Sequence, residues 1–478
     1  MNITFDYDER KKKLHVQTSK DDLDLIRHEF SAVNETYYIQ KARGRGAPRR
    51  NHTITTTGRC DIGFLWLIRQ YLTKSEYVCD ITYTDSLKKV VDIGRDSTDL
   101  TKLKLDLRYY QEEVVKLGVK HGRGTMVLAT GAGKTLMIAS LIAECYKHHD
   151  SSAPFKCLII VPDLGLVTQT AKDFEEYEVP YTFSKWTGKN EIDTTTDIVI
   201  CNAAIINNRL NEQEWCKYVD LVIVDECHKI KKGNTISDTI DKLLTLNKYG
   251  FTGTLPDNSL DYWGVIGKFG PVLYEKNSST LRDEGFLANV GVSMLRIDYL
   301  LPPKYTSTDK YKEELEYVYN SEYRIGVIKA LANNLKNNTL ILVNHLDHGA
   351  AIYNALQGME GKEVYYIIGE VEVEVREQIK ARMEEADNIV CVAISKIFST
   401  GVNVKNLHNI IFAMAGKAFI RTVQSIGRGL RLHPTKDKLR IYDVYDNLRY
   451  SLLHADKRKQ IYNKENIEYT SNIIVEKM

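Results

Sequence analysis

No apolar run in these 478 residues approaches the roughly 20 that a membrane-spanning helix requires, which excludes helical channels and anchored receptors. A secretory leader is also missing, since Asp6, Asp8, Glu9 and Arg10 stand where its apolar core would begin. The eight cysteines, at 60, 79, 145, 157, 201, 216, 227 and 391, form no C-x-x-C pair. That argues against a structural zinc site and for reduced thiols in a cytoplasm-like compartment. Charge of one sign is lacking as well: 65 Lys and Arg stand against 63 Asp and Glu, a net +2. Any nucleic-acid surface must therefore be a local patch rather than a property of the whole. A convincing Asp…Glu-x-Lys nuclease constellation is absent too. The length is too great for one core, so two or three domains are expected.

What is present is organised around Ala129-Thr130-Gly131-Ala132-Gly133-Lys134-Thr135, between the apolar residues 126–128 and a helical pattern over 136–146. A buried strand passing through a glycine turn into a helix is the layout of a phosphate-binding loop. The glycines let the backbone N–H groups point inward and the helix N-terminus adds positive dipole. Lys134 then reaches the β and γ phosphates and Thr135 holds Mg²⁺. One departure is Leu128, where the usual pattern has a small residue.

Residues 1–98 read as a small α+β domain. Strands are expected at 3–7 and 14–17, a helix at 21–30, a strand pair at 37–41 and 53–57, a helix at 61–72 and a strand at 77–84. Its loop 41–50 carries Arg43, Arg45, Arg49 and Arg50 with glycines and no acids. Such a loop suits a phosphate backbone, and equally a solvated turn; ahead of a nucleotide-driven machine acting on nucleic acid, if the later segments supply one, it would favour duplex or junction DNA. A polar linker covers 88–104. Residues 99–290 then alternate helical stretches with short β-branched runs at 158–161, 197–201, 221–224 and 248–251, the signature of a parallel sheet wrapped by helices. Around 288–322 the pattern breaks into an alternating stretch, 290–300, and a charged one, 304–316. It resumes within 291–478, with strands at 339–343, 363–368, 388–394, 409–414 and 439–444. A basic helix at 448–462 and a short strand at 473–475 close the chain.

Leu221-Val-Ile-Val-Asp225-Glu226-Cys227-His228 puts two carboxylates at the carboxyl end of a buried strand, where ligands sit in open α/β sheets. Asp225 suits the Mg²⁺ shell, and Glu226 suits positioning and deprotonating the attacking water. Cys227 and His228 have no further ligands at metal spacing. Downstream, Arg428 and Arg431 in Gln424-Ser-Ile-Gly-Arg-Gly-Leu-Arg431 are neighbours on one helical face. A guanidinium pair of this kind matches the charge that develops on a transferring phosphoryl group.

In this order the segments resemble the motifs of superfamily 2 helicases, and among them the UvsW-type bacteriophage DNA helicases, similar in activity to RecG branch-migration motors. The likeness runs from about Leu105 to the end, and more loosely through the N-terminal domain. Residues 129–135 resemble motif I, 224–228 motif II in its DExH form, Thr252-Gly-Thr254 motif III and 424–431 motif VI. Ser399-Thr-Gly401-Val-Asn403 resembles motif V, Leu342-Val-Asn-His345 motif IV, and 161–169 motif Ia. Leu107-Arg-Tyr-Tyr-Gln111 resembles the adenine-reading motif.

The resemblance implies an α/β fold of two tandem RecA-like lobes behind the small α+β domain. ATP would be bound by Gln111, Thr130, Gly131, Ala132, Gly133, Lys134, Thr135, Asp225 and Glu226 of the first lobe, and by Gly401, Asn403, Gln424, Arg428 and Arg431 of the second. It also implies that Thr252 and Thr254 couple hydrolysis to motion, with Pro162, Gln169, His345 and Thr400 on the nucleic-acid backbone. The expected activity is an ATP- and Mg²⁺-dependent DNA helicase or translocase on forked or recombination-intermediate DNA. Recombination or replication proteins are its candidate partners. An RNA-unwinding DExH enzyme and the motor subunit of a restriction enzyme remain alternatives, because motor motifs touch backbone rather than bases.

Overall fold

The computed structural model describes residues 1–34, 37–44, 46, 48–75, 77–91, 95, 97–149, 152–188, 192–209, 214–231, 234–306, 308–368, 373–395, 404–414 and 436–477. The chain divides into two compact units, Met1–Leu128 with Gly133–Lys276, and Asn277–Met478 with the loop residues Ala129–Ala132. Among the described residues no helix is long and apolar enough to cross a membrane.

The first unit is built on a seven-stranded sheet. Its order is Val272–Lys276, Gly124–Leu128, Lys248–Thr252, Leu221–Asp225, Cys157–Val161, Ile198–Asn202 and Phe183–Trp186, every pair parallel. The inner strands are continuous apolar runs because helices cover both faces; Cys157–Val161 and Ile198–Asn202 are buried at every position. The two outer strands, Phe183–Trp186 and Val272–Lys276, were not anticipated from sequence. Each is only half-buried and carries Lys or Glu, so it lacks the run that marks its neighbours.

The second unit repeats the plan with a seven-stranded parallel sheet. From edge to edge it runs Glu363–Ile367, Ile389–Ile394, Thr339–Val343, Asn409–Phe412, Lys438–Asp446, Asn289–Asp298 and Tyr469–Val475. The alternating stretch at 290–300 is thus a strand of this sheet, next to its exposed edge, and the charged stretch after it leads into the helix Lys310–Asn320. Two tandem parallel-sheet α/β lobes are therefore present, as expected.

One buried ion pair organises the second sheet. Arg324, in the helix Glu322–Asn334, donates from Nε to Asp446 Oδ1 at 3.1 Å and from Nη1 to the Ala413 carbonyl at 2.9 Å. Its side chain is 0% exposed and that of Asp446 1%. Removing one member leaves the other charge buried, a loss of about 3–5 kcal/mol. Arg324→Met should lower the free energy of the second unit's urea transition by that amount; wild-type stability would show the pair to be dispensable.

Ahead of the first lobe lies the α+β domain, a four-stranded mixed sheet ordered Arg59–Cys60, Lys13–Gln17, Asn2–Asp8 and Asp80–Tyr83. The helices Lys20–Glu29 and Phe64–Lys74 pack Ile26, Ile68 and Leu72 against Phe5 and Leu14. Two expectations fail here. Residues 37–41 belong to the helix Tyr37–Ala42, and 53–57 form no strand; the local ladder is Ser31–Val33 with Arg50–His52. The aromatic Tyr-Tyr-Ile run suggested a strand. A helical turn instead lets Lys41 lie 5.9 Å and Arg49 5.7 Å from the Tyr37 ring centre. The ladder stops at His52 because Phe30, which accepts the Thr53 N–H at 3.1 Å and its hydroxyl at 2.7 Å, has no N–H to return: that group caps the helix Lys20–Glu29 on the Ile26 carbonyl at 3.2 Å.

This small domain packs on the helix Ser259–Phe269 of the first lobe. Phe30 meets Trp263 edge-on at 5.6 Å, and the Gly63 N–H donates to the Gly267 carbonyl at 3.0 Å. Only glycine allows that approach, since a Cβ at 63 would overlap the Ile266 carbonyl.

Candidate active site

Three neighbouring strands of the first sheet, Gly124–Leu128, Lys248–Thr252 and Leu221–Asp225, end on the same edge. The glycine loop leaves the first, Thr252-Gly-Thr254 the second and Asp225-Glu226 the third. A fourth neighbour, Cys157–Val161, delivers Pro162 to that edge. Segments more than a hundred positions apart are thus adjacent because parallel strands share a carboxyl edge, the usual place for ligands in such sheets.

The loop has the backbone its glycines allow, with φ 87° at Gly131 and 84° at Gly133. Both lie in the left-handed region that glycine enters without steric cost. Gly133 is constrained a second way: a Cβ there would strike Nε2 of Gln111. Gln111 is 3% exposed, its Oε1 accepts the Arg108 N–H at 2.8 Å, and its amide nitrogen faces the loop. Lys134 opens the helix Lys134–Lys147 and donates to the Leu128 carbonyl at 3.2 Å. The departure at Leu128 is harmless for this reason: its side chain is buried in the sheet, and the group that meets Lys134 is a carbonyl any residue would supply.

Glu226 sits at φ 54°, uncommon for a residue with a side chain and the kind of outlier found where function demands it. Its N–H donates to Asp225 Oδ1 at 2.9 Å. Burial works to raise the pKa of its carboxyl, but the His228 hydrogen bond and the charges of Lys134, His228 and Lys229 bring it down to about 2. His228 lies 3.2 Å from Glu226 Oε2 and 2.7 Å from Thr252 Oγ1 through the same Nδ1. Since the Thr252 hydroxyl donates to the Thr254 carbonyl at 2.8 Å, its oxygen accepts and Nδ1 carries the proton. His228 therefore joins the carboxylate loop to the Thr252–Thr254 loop. In the sequence it stands out only as a rejected metal ligand; its place as last residue of the Asp-Glu-Cys-His run was the available signal.

Thr135 and Asp225 are both half-buried. Among the described residues no group of three or more His, Cys, Asp or Glu side chains could hold a metal. A cation here would complete its shell from water and phosphate oxygens, as Mg²⁺ does, so a hydroxyl and one carboxylate fit it.

The remaining candidates are scattered. His345 is exposed at the start of the helix Leu346–Leu356, its ring 5.1 Å from that of Tyr319. Gln169 is partly buried in the helix Leu164–Glu176, with Oε1 buried and lacking a partner among the described residues. Arg43 and Arg49 are exposed, whereas Arg50 is committed to Ser31 through Nε to Oγ and Nη2 to the carbonyl, both at 2.8 Å. Arg45, Thr400, Gly401, Asn403, Gln424, Arg428 and Arg431 lie outside the described residues.

Two family models match. Residues 104–257 fit the Type III restriction enzyme, res subunit, and residues 324–433 fit the helicase conserved C-terminal domain. Over 400 residues the chain is 29% identical to the ATP-dependent DNA helicase uvsW of Enterobacteria phage T4, covering 78% of each protein. It is 24% identical over 414 residues to the DNA 3'-5' translocase XPB2 of Sulfurisphaera tokodaii, covering 78% of this chain and 86% of that one. Among solved structures, the ATP-dependent Type ISP restriction-modification enzyme LlaBIII bound to DNA superposes with a TM-score of 0.58 at 15% identity, over 85% of this chain and 34% of that one. With both motor halves matched in order and the same halves seen as two parallel sheets, the chain belongs to the superfamily 2 helicases, as an ATP-hydrolysing enzyme.

Proposed function

We propose that the chain is an ATP- and Mg²⁺-dependent DNA helicase or translocase that unwinds and branch-migrates forked or recombination-intermediate DNA. The observation that carries the motor is the His228 bridge, which ties Glu226 at the phosphate edge to Thr252 and through it to Thr254. In this reading the loop 130–135 cradles the triphosphate, Gln111 reads the base, Thr135 and Asp225 hold Mg²⁺, and Glu226 orients water. A carboxyl held at about pKa 2 is a weak proton acceptor, so orientation is its larger share. Gly401, Asn403, Gln424, Arg428 and Arg431 supply the second half, as the motif order implies, and Arg428 and Arg431 neutralise charge on the transferred phosphoryl group.

DNA as the track is supported by the names of the relatives, a DNA helicase and a DNA translocase. Residues 1–98 would grip the DNA, with 99–290 and 291–478 as the two motor domains; Pro162, Gln169, His345 and Thr400 would follow the backbone. Arg43, Arg45 and Arg49 are its contacts in the small domain, while Arg50 serves mainly to hold the Ser31–Val33 ladder. Replacing Arg43, Arg45 and Arg49 by Gln should weaken fork binding and lower the slope of log K against log salt by about 0.9 for each phosphate no longer neutralised. An unchanged slope would leave the loop without a role in binding.

The deciding experiment compares ATP turnover and strand separation on forks, four-way junctions, single-stranded DNA and RNA at fixed salt. Stimulation and unwinding by branched DNA are expected; a response to RNA alone would overturn the reading. The restriction-type match over 104–257 favours one other role, a translocating subunit that needs a nuclease partner. Unwinding by the purified chain alone would reject it.

A further inference from the structure

At the amino edge of the first sheet, opposite the glycine loop, Arg123 and Lys248 precede or begin the strands Gly124–Leu128 and Lys248–Thr252. The turn of the small domain that carries Lys11, Lys12 and Lys13 meets this edge, and Lys268 joins from the helix Ser259–Phe269. Together they line a cavity of about 50 Å³ whose only acidic lining residues are Asp61 and Asp241.

The charges do not balance. Lys13 pairs with Asp61, and with Asp241 at 3.2 Å; Lys268 pairs with Asp61 at 3.0 Å and Asp241 at 2.5 Å. Both carboxylates are thereby engaged by Lys13 and Lys268; among the lining residues neither forms a direct ion pair with Arg123, Lys248, Lys11 or Lys12, although Asp61 acts on Arg123 and both act on Lys248 at longer range. Arg123 is 3% exposed; it donates from Nε to the Phe269 carbonyl at 3.1 Å and from Nη2 to the Lys268 carbonyl at 2.8 Å. Its Nη1 is buried with no acceptor among the described residues. The Lys248 ammonium reaches only neutral acceptors, the carbonyls of Ile240 at 2.9 Å and Leu243 at 2.7 Å. Burial, then the charges of Arg123 and Lys268, push the Lys248 pKa down to about 7, and burial brings Arg123 down to about 10. The Lys248 shift reports positive potential that Asp241 and Asp61 offset only in part, whereas the Arg123 shift reports burial, with Asp61 acting against it.

We propose that this cavity binds a free tetrahedral oxyanion of the phosphate class, held by Arg123 Nη1 and the ammonium groups of Lys11, Lys12 and Lys248. The volume decides the size of the ligand. A water needs roughly 10–15 Å³ of such space and a drug-sized ligand roughly 300 Å³ or more. The cavity thus holds a few waters or one oxyanion, and excludes a nucleoside. Because Lys11 and Lys12 belong to the small domain and Arg123 and Lys248 to the motor sheet, the anion cross-links the two and relieves the repulsion at their joint.

The glycine loop also attracts phosphate, so the test is made in the full-length Lys134→Ala chain. Binding of radiolabelled orthophosphate is measured by equilibrium dialysis against chloride at constant ionic strength. One saturable equivalent is expected, weakened at least tenfold by Lys11→Gln with Lys12→Gln, two exposed turn residues whose replacement spares the fold. Arg123→Lys, which keeps the charge but lacks Nη1, should weaken it similarly. Lys88→Gln with Lys89→Gln, an equal charge change elsewhere on the same domain, should leave it unchanged. No saturable binding, or equal weakening by the two lysine pairs, would overturn the site. Displacement of the label by one equivalent of duplex DNA would assign it to backbone phosphate and overturn the free oxyanion.

Discussion

A Lys134→Ala chain is expected to lose DNA-stimulated ATP turnover by roughly 10²–10³-fold or more, the cost of removing a preorganised donor from developing charge. Two observations on Lys134 support so large an effect. Its ammonium lies at the carboxyl edge of the sheet, on the Leu128 carbonyl, where the loop curls around Gly131 and Gly133. Its charge is also one of those that hold the Glu226 carboxyl down to about 2. The substitution therefore removes a phosphate partner and shifts a neighbour at once, and the Glu226 pKa should rise. Phosphate release with and without forked DNA measures the first effect. Fork binding by fluorescence anisotropy should be largely retained, because Lys134 is not among the proposed track residues. Turnover at wild-type rate would overturn the assignment of the loop.

Glu226→Gln is the second large effect, a fall in turnover of roughly 10²–10³-fold, the range for losing one preorganised group at the reacting centre. The amide keeps the size of the side chain and can still accept from His228, so the fold and the link to Thr252 should persist. What disappears is the negative charge that orients water. ATP binding should hold or tighten, because one charge that repels the triphosphate is gone. The sign of the pH dependence follows from the depressed pKa. A carboxyl at about 2 is already ionised far below neutrality. Glu226 should then contribute no acid limb to turnover across roughly pH 5 to 9. An acid limb in that range that vanished in Glu226→Gln would contradict the assigned environment.

The sequence by itself determined the elements whose cause is local. Continuous β-branched runs announced the inner strands, because a strand buried on both faces must be apolar throughout. Gly131, Gly133 and Lys134 announced the phosphate loop, because the backbone it needs is open to glycine at little cost. Asp225 and Glu226 were legible as a pair at a strand end, and the order of the motifs identified the helicase superfamily.

Only the tertiary structure decided what depends on partners distant in sequence. The edge strands Phe183–Trp186 and Val272–Lys276 were hidden because a half-buried strand needs no unbroken apolar run. Tyr37–Ala42 is a helix although its aromatic run suggested a strand, and its Tyr37 ring lies 5.7 Å from Arg49, twelve positions on. Arg50 reads as one more cation of a basic loop, and the fold spends it on Ser31. The bridge from His228 to Thr252 spans 24 positions and exists only because their two strands are neighbours in a parallel sheet. The excess of positive charge around Lys248 was likewise invisible in a chain of net charge +2, since burial and the company of Arg123 and Lys268, not composition, set the potential at a point.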